Sequence, residues 1–144
     1  MPYWQLFYHI AWSTKNREPL LTPDLEPLVY ELIHSKAIGL GATVFAVNGM
    51  ADHVHLITSI PPKIAVATFI GQVKGITSTK VNKSLSDFPS FAWQEEYGIF
   101  SFDKKRLPNH ITYVDRQKAH HSQGTIIPLL ERIDENKRTS IARR

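Results

Sequence analysis

The chain of 144 residues contains no cysteine. Disulfides, thiolate catalysis and cysteine-built zinc sites are excluded, so any metal must rest on histidine, carboxylate or amide groups. Glycine is sparse, with seven residues and no cluster of the kind that cradles a phosphate in a nucleotide-binding loop. No apolar run approaches the ~20 residues needed to span a bilayer. The first residues lack the basic stretch and long apolar core of a secretory signal. No membrane association and a cytoplasmic location are the resulting expectations. Internal repeats, low-complexity tracts and linkers are also missing, and a chain of this length fits one domain. That domain is expected to span residues 1–144, with a core over about 3–121 and an extension over 122–144 whose role is open.

With 42% hydrophobic and 21% charged residues, the composition is that of a globular protein. The formal charge is +4, an excess that suits an anionic partner without specifying it. Its distribution is uneven. Residues 61–90 carry four lysines against one acid, and residues 101–120 carry five Lys/Arg against two acids. Residues 21–40 are acidic through Asp24, Glu26 and Glu31.

Residues 3–13 are aromatic and branched without Gly or Pro, which predicts a central strand buried on much of both faces. Thr22 and Pro23 predict a helix start, continued by Leu25, Leu28, Val29 and Leu32 at helical spacing and ended at Gly39 and Gly41. A second strand over 42–47, a hairpin turn at Asn48-Gly49 and a third strand over 54–60 follow, the two strands being antiparallel neighbours. Val66, Phe69, Ile70, Val73 and Ile76 mark an amphipathic helix over 63–83. Residues 91–102 predict a strand region interrupted near Gly98. A helix from Pro108 to about His121, a shorter one over 126–133 and a loose basic tail over 137–144 complete the chain. This order is the split βαβ pattern of α+β ferredoxin-like domains, an antiparallel sheet with helices on one face plus an added C-terminal helix.

Residues two apart in a strand point the same way, so His53 and His55 share one face and Val54 and Leu56 the other. Two imidazoles so placed can grip one ion. The spacing alone is weak, because seven histidines shuffled through such a chain yield some H-x-H about once in three tries. Histidines hydrogen-bonded at a strand end remain the alternative. On the helix after Pro108, Tyr113, Gln117 and His120 fall at i, i+4 and i+7 on one stripe, with Ile111 and Val114 toward the core. A phenol near a metal can attack phosphorus, and the phosphotyrosine formed conserves the bond for rejoining. A tyrosine whose ring packs and whose hydroxyl meets water is the competing reading.

Five blocks in order decide between these readings by resemblance. They are YHIAWSTK at 8–15, ADHVHLI at 51–57, VKGITS at 73–78, FAWQ at 91–94 with YGIFS at 97–101, and YVDRQ at 113–117 with His120-His121. Together they resemble the single-tyrosine HUH transposases of bacterial insertion sequences, the insertion-sequence-200-like family that includes REP-associated tyrosine transposases. The resemblance implies a ferredoxin-like fold, a homodimer, and binding of imperfect hairpins at element ends. It also implies cleavage of single-stranded DNA to a 5′-phosphotyrosine and a free 3′-OH. Tyr113 is then the nucleophile, with His53, His55 and Gln117 as ligands of Mg2+ or Mn2+. It leaves open whether Tyr113 serves the histidines of its own chain or of a partner.

Lys15, Arg17, Lys74, Lys104, Lys105 and Arg106 are the candidate phosphate contacts. Trp93 and Tyr97 are better read as core aromatics than as base-stacking platforms. A non-catalytic nucleic-acid-binding module is the alternative function, since the same fold serves RNA-binding domains, but it needs none of Tyr113, His53, His55 and Gln117. A small ligand-binding regulator has only the fold in its favour.

Overall fold

The computed structural model describes residues 2–85 and 90–134. Four strands, β1 (Phe7–Ser13), β2 (Thr43–Met50), β3 (His53–Ser59) and β4 (Gly98–Phe102), form an antiparallel sheet in the order β2-β3-β1-β4. Helices α1 (Glu26–Gly39) and α2 (Val66–Ser84) pack on one face. Helices α3 (Leu107–Asp115) and α4 (Gln117–Gln123) lie over the other, so the expected ferredoxin-like α+β fold with an added C-terminal helix is the one observed.

The period of two in β1 and β3 divides the site from the main core. Ile10, Trp12, Val54 and Leu56 turn toward α1 and α2, where they meet Val29, Ile33, Phe69, Ile70 and Val73. Each such side chain, fully buried, contributes roughly 1.5–3 kcal/mol. His9, His53, His55 and Ile57 occupy the alternate positions, and Ile57 packs with Ala46, Tyr113 and Val114 under α3. Trp93 stands edge-on to Trp12 and Phe91, ring centroids 5.8 and 4.8 Å apart, which makes it a core residue as expected.

Several boundaries differ from the sequence reading, each for a local reason. Residues 3–6 lie outside β1, with Tyr3 and Trp4 exposed. The first helix begins at Glu26 rather than beside Thr22; the N–H groups of Leu25 and Glu26 bond the Thr22 carbonyl in turns, and Pro27 occupies the first helical turn. Asn48-Gly49 is strand, and the hairpin turns at Ala51-Asp52 with Met50 opposite His53. Glycine is needed at 49 because a Cβ there would lie 2.1 Å from the His53 carbonyl oxygen. Of the region 91–102 only Gly98–Phe102 is a strand, with Trp93 making a single bridge to Thr14.

The helix expected over 108–121 breaks at Arg116 into α3 and α4. Two carbonyls at the break, those of Val114 and Asp115, accept from the Asn48 side-chain amide at 3.1 and 3.2 Å. Lys118 ties the start of α4 to the same sheet edge through Asn48 Oδ1, the Gly49 carbonyl and Glu26, at 3.0, 3.1 and 2.6 Å. The helix expected over 126–133 is a single 3-10 turn at Pro128–Glu131. The basic tail over 137–144 lies outside the described residues.

Candidate metal and nucleophile site

His53 and His55 open β3 with their rings buried beneath α3 and α4 and at most 2% exposed. Glu131 reaches both from the 3-10 turn: its Oε1 is 3.1 Å from His53 Nε2 and 3.0 Å from His55 Nε2. Ligand atoms of these three residues all lie within 4.8 Å of one another, a cluster that could hold a metal ion. Gln117, fully buried at the start of α4, adds its Oε1 at 3.0 Å from His53 Nε2, and His121 Nε2 lies 2.8 Å from that oxygen. On the outer side of His53, Nδ1 is 2.8 Å from Asp52 Oδ1. That bond leaves Nε2 as the nitrogen turned toward the cluster.

Tyr113 enters from α3. Its hydroxyl donates a short hydrogen bond to Glu131 Oε2 and accepts one at 3.0 Å from the Ile127 N–H. The Gln117 amide nitrogen donates to the same Oε2 at 3.2 Å. The two oxygens of Glu131 are thereby divided, one facing the histidines and one facing the phenol and amide. The His120 ring stacks on Tyr113 with centroids 4.6 Å apart and fixes the plane of the phenol.

The charges follow from these contacts. Burial opposes protonation of His53, but hydrogen bonds to Asp52, Glu131 and Gln117 outweigh it and raise its pKa to about 9. Burial would raise the Glu131 carboxyl, yet the bonds from His53 and His55 hold it well below the usual carboxylate range. His55 is pushed down, chiefly by burial, and stays neutral. Burial and the bond donated to Glu131 push the Tyr113 phenol up to about 12. Without a cation the site is a protonated His53 facing an ionised Glu131. A bound divalent ion would have to displace the proton on His53 and would take the Glu131 carboxylate as a ligand.

The structure thus gathers four of the sequence candidates, Tyr113, His53, His55 and Gln117, around one point within a single chain. The cationic candidates divide differently. Lys15 and Arg17 are exposed on a 3-10 turn that follows β1, where Asn16 and Arg17 hold left-handed φ values of 56° and 57°. Arg17 pairs with Asp52 at 3.4 Å. Lys104, Lys105 and Arg106 are exposed on the 3-10 turn that leads into α3. Lys74 is engaged elsewhere: its ammonium donates to the carbonyls of Gln94, Glu95 and Glu96 at 2.6, 3.1 and 3.4 Å, and it braces that loop.

Glu131 is the site residue that the sequence reading missed. It sits in a non-periodic stretch, 76 residues beyond His55, with no motif to mark it. Gly98 carries a correlated signal. A Cβ at that position would lie 1.8 Å from the Arg132 carbonyl oxygen, so β4 needs glycine there for the Glu131 segment to dock against it.

Comparison with known proteins gives the family and the fold. A family model for IS200-like transposases matches residues 2–117. The ISDra2 transposase TnpA of Deinococcus radiodurans is 30% identical over 78 residues, covering 54% of this chain and 56% of that protein. The transposase for insertion sequence element IS200 of Salmonella typhimurium is 26% identical over 84 residues, covering 58% of this chain and 55% of that one. The matches span little more than half the length of these relatives. Among solved structures, a protein assigned as a transposase in Deinococcus radiodurans superimposes with a TM-score of 0.65 at 20% identity, over 81% of this chain and 95% of that one. A REP-associated tyrosine transposase bound to a REP hairpin gives 0.61 at 13% identity, over 88% and 76%. At these identities the two structures speak for the fold, and the family model carries the assignment: this chain belongs to the IS200-like transposase family.

Proposed function

We propose that the protein is a transposase that cleaves and rejoins single-stranded DNA through a covalent bond between Tyr113 and a 5′-phosphate, with a divalent cation held by His53, His55 and Glu131. The observation that carries this reading is the shared carboxylate. One oxygen of Glu131 lies between the two imidazoles and the other takes a hydrogen bond from the Tyr113 hydroxyl. A packing tyrosine with its hydroxyl in water would not make the second contact.

The donor set fits a hard or borderline divalent ion. It offers two imidazole nitrogens, a carboxylate and, from Gln117, an amide oxygen, which suits Mg2+ or Mn2+. Bound there, the cation would polarise a phosphate oxygen and neutralise charge developing on phosphorus.

Tyr113 performs the attack. Its oxygen forms the bond to phosphorus as the bond to the 3′ oxygen breaks, and its proton passes to Glu131 Oε2, the acceptor it already faces. The departing 3′ oxygen takes a proton from water and leaves as a free 3′-OH. Rejoining reverses each transfer, so no external energy source is required. The Ile127 N–H, 3.0 Å from the phenol oxygen, is placed to stabilise negative charge that develops on it.

Lys15 and Arg17, on the turn after β1, and Lys104, Lys105 and Arg106, on the turn into α3, serve as phosphate contacts for the strand in this reading. Hairpin-ended single-stranded DNA as substrate and a homodimer belong to the same reading through the family resemblance, and a cytoplasmic location through the expectation drawn from the sequence. Residues 1–144 act as one domain whose extension supplies Glu131. Among the described residues no helix is long and apolar enough to cross a membrane.

Trapping of covalent protein–DNA adducts on single-stranded element ends tests the proposal. Tyr113→Phe should abolish adducts and keep hairpin binding, and adducts that persist in this variant refute the assignment. His53→Ala should lose cleavage in Mg2+ and Mn2+. Full activity of the native protein in chelator would rule out the metal. Salt-sensitive hairpin binding without cleavage under either ion would point instead to a non-catalytic binding module.

A further inference from the structure

His55 is the inner end of a line of three histidine rings, the other two of which, His9 and His110, the proposed reaction does not use. Its Nδ1 is 2.8 Å from His9 Nε2, and His9 Nδ1 is 2.9 Å from His110 Nδ1. His9, in the middle of β1, is fully buried and spends both ring nitrogens in these contacts. His110, half-buried on α3 one turn before Tyr113, stacks flat on Phe102 with centroids 3.9 Å apart and planes 10° from parallel. Successive rings meet edge to face, His9 to His55 at 79° and His9 to His110 at 74°, so each nitrogen faces the next.

A neutral imidazole has one N–H and one lone pair. In a chain of neutral rings joined nitrogen to nitrogen, the tautomer of one therefore dictates the tautomer of the next. His9 is fully buried and both of its ring nitrogens face other imidazoles, so no carboxylate in hydrogen-bond reach favours a charge on it and it stays neutral between them. When His55 gives its Nε2–H to Glu131, His55 Nδ1 must accept from His9 Nε2–H, and His9 Nδ1 must accept from His110 Nδ1–H. When His55 Nε2 instead offers its lone pair as a ligand, its proton sits on Nδ1. His9 then carries its proton on Nδ1, and His110 carries its own on Nε2.

We propose that His9 and His110 are positioning residues that form a tautomer relay with His55, all three rings exchanging their protonated nitrogen when His55 becomes a metal ligand. The count balances. Three protons occupy the three rings in both states; one leaves from His55 Nε2, one arrives at His110 Nε2, and two shift along the hydrogen bonds between. This is why position 9 holds histidine in a strand whose neighbours Ile10 and Trp12 are apolar: a single side chain there must be able both to donate and to accept at each end.

The inference rests on the metal reading above, and the test separates the two. Long-range proton–nitrogen correlation spectra of the full 15N-labelled chain assign each histidine tautomer directly, first in chelator and then with Mg2+, with Zn2+ as a second diamagnetic probe. In chelator the protons should lie on His55 Nε2, His9 Nε2 and His110 Nδ1. With the ion they should lie on His55 Nδ1, His9 Nδ1 and His110 Nε2. Response of His53 and His55 while His9 keeps its tautomer overturns the relay and leaves the metal site standing. If no histidine responds to either ion, the metal reading fails and the switch fails with it. A proton on His9 Nδ1 in chelator refutes the chain by itself.

His9→Phe, which keeps an aromatic ring but no nitrogen, should weaken ion binding by calorimetry about 10- to 100-fold. His9→Gln, able to accept from His55 Nδ1, should recover most of that loss, and His110→Phe, which keeps the stack on Phe102, should lose less than His9→Phe. Native affinity in His9→Phe contradicts the positioning role, and should that variant not fold, His110→Phe and the native spectra still decide.

Discussion

Replacing His53 by Gln should flatten the pH dependence of folding stability above neutrality in the metal-free protein. In the folded chain His53 titrates near 9 against an ordinary value of 6.5. A group with a raised folded pKa contributes stability that is complete below the unfolded value and is lost as the pH climbs through the folded one. The shift from 6.5 to about 9 corresponds to about 3 kcal/mol at 1.36 kcal/mol per unit, and most of it disappears between pH 7 and 9.5. The ring is 2% exposed, so solvent screening reduces this little. Glu131, the partner ion, is depressed and remains charged across that window, so the pair is counted once.

For a domain of this size a loss of about 3 kcal/mol lowers the melting temperature by roughly 10 °C. Below pH 6.5 the balance runs the other way. His9, His55, His110 and His121 resist protonation in the folded state, while the unfolded chain takes those protons up. Stability in chelator should therefore peak near neutrality. Calorimetric melts of the native chain and His53→Gln at pH 7 and 9.5 measure the difference between their slopes. Parallel curves would show that the charged His53–Glu131 pair does not exist.

Three further outcomes follow from the geometry. Glu131→Ala should weaken Mn2+ binding at least tenfold, read by electron paramagnetic resonance, because it removes the group common to both histidines and the tyrosine. Gly98→Ala should cost about 1–3 kcal/mol as its Cβ displaces Arg132; limited proteolysis should then cut within residues 126–134 before any strand. Joint replacement of Lys104, Lys105 and Arg106 by Ala should reduce the slope of log affinity against log salt by about 2 for a single-stranded ligand, at ~0.7 per phosphate contact. An unchanged slope would remove that cluster from the DNA path.

What was legible in the sequence was what local chemistry dictates. The branched and aromatic run marked β1, though not its start at Phe7, the period of two placed His53 and His55 on one face of β3, and the i, i+4 pair Tyr113 and Gln117 kept its shared face even across a break in the helix. What was not legible depended on contacts distant in sequence. Asn48-Gly49 has the composition of a turn but continues as strand because it pairs with His55 and Val54 of β3, where no side chain fits at position 49. The break at Arg116 has neither proline nor glycine to announce it, and its freed carbonyls are met by Asn48, 66 residues away. The role of Glu131 depends on a 3-10 turn with no period, and that of His9 on a register that only the folded sheet supplies.

The position of Glu131 also bears on how this protein can be cut into pieces. The family model stops at residue 117, a natural place to draw the border of a minimal fragment. Among the described residues, such a fragment would keep every strand, both histidines and the tyrosine, and would discard the one carboxylate that reaches all three. Its inactivity would then be a property of the border chosen, and transplanting the reactive unit onto another scaffold would require carrying residues 118–134 with it.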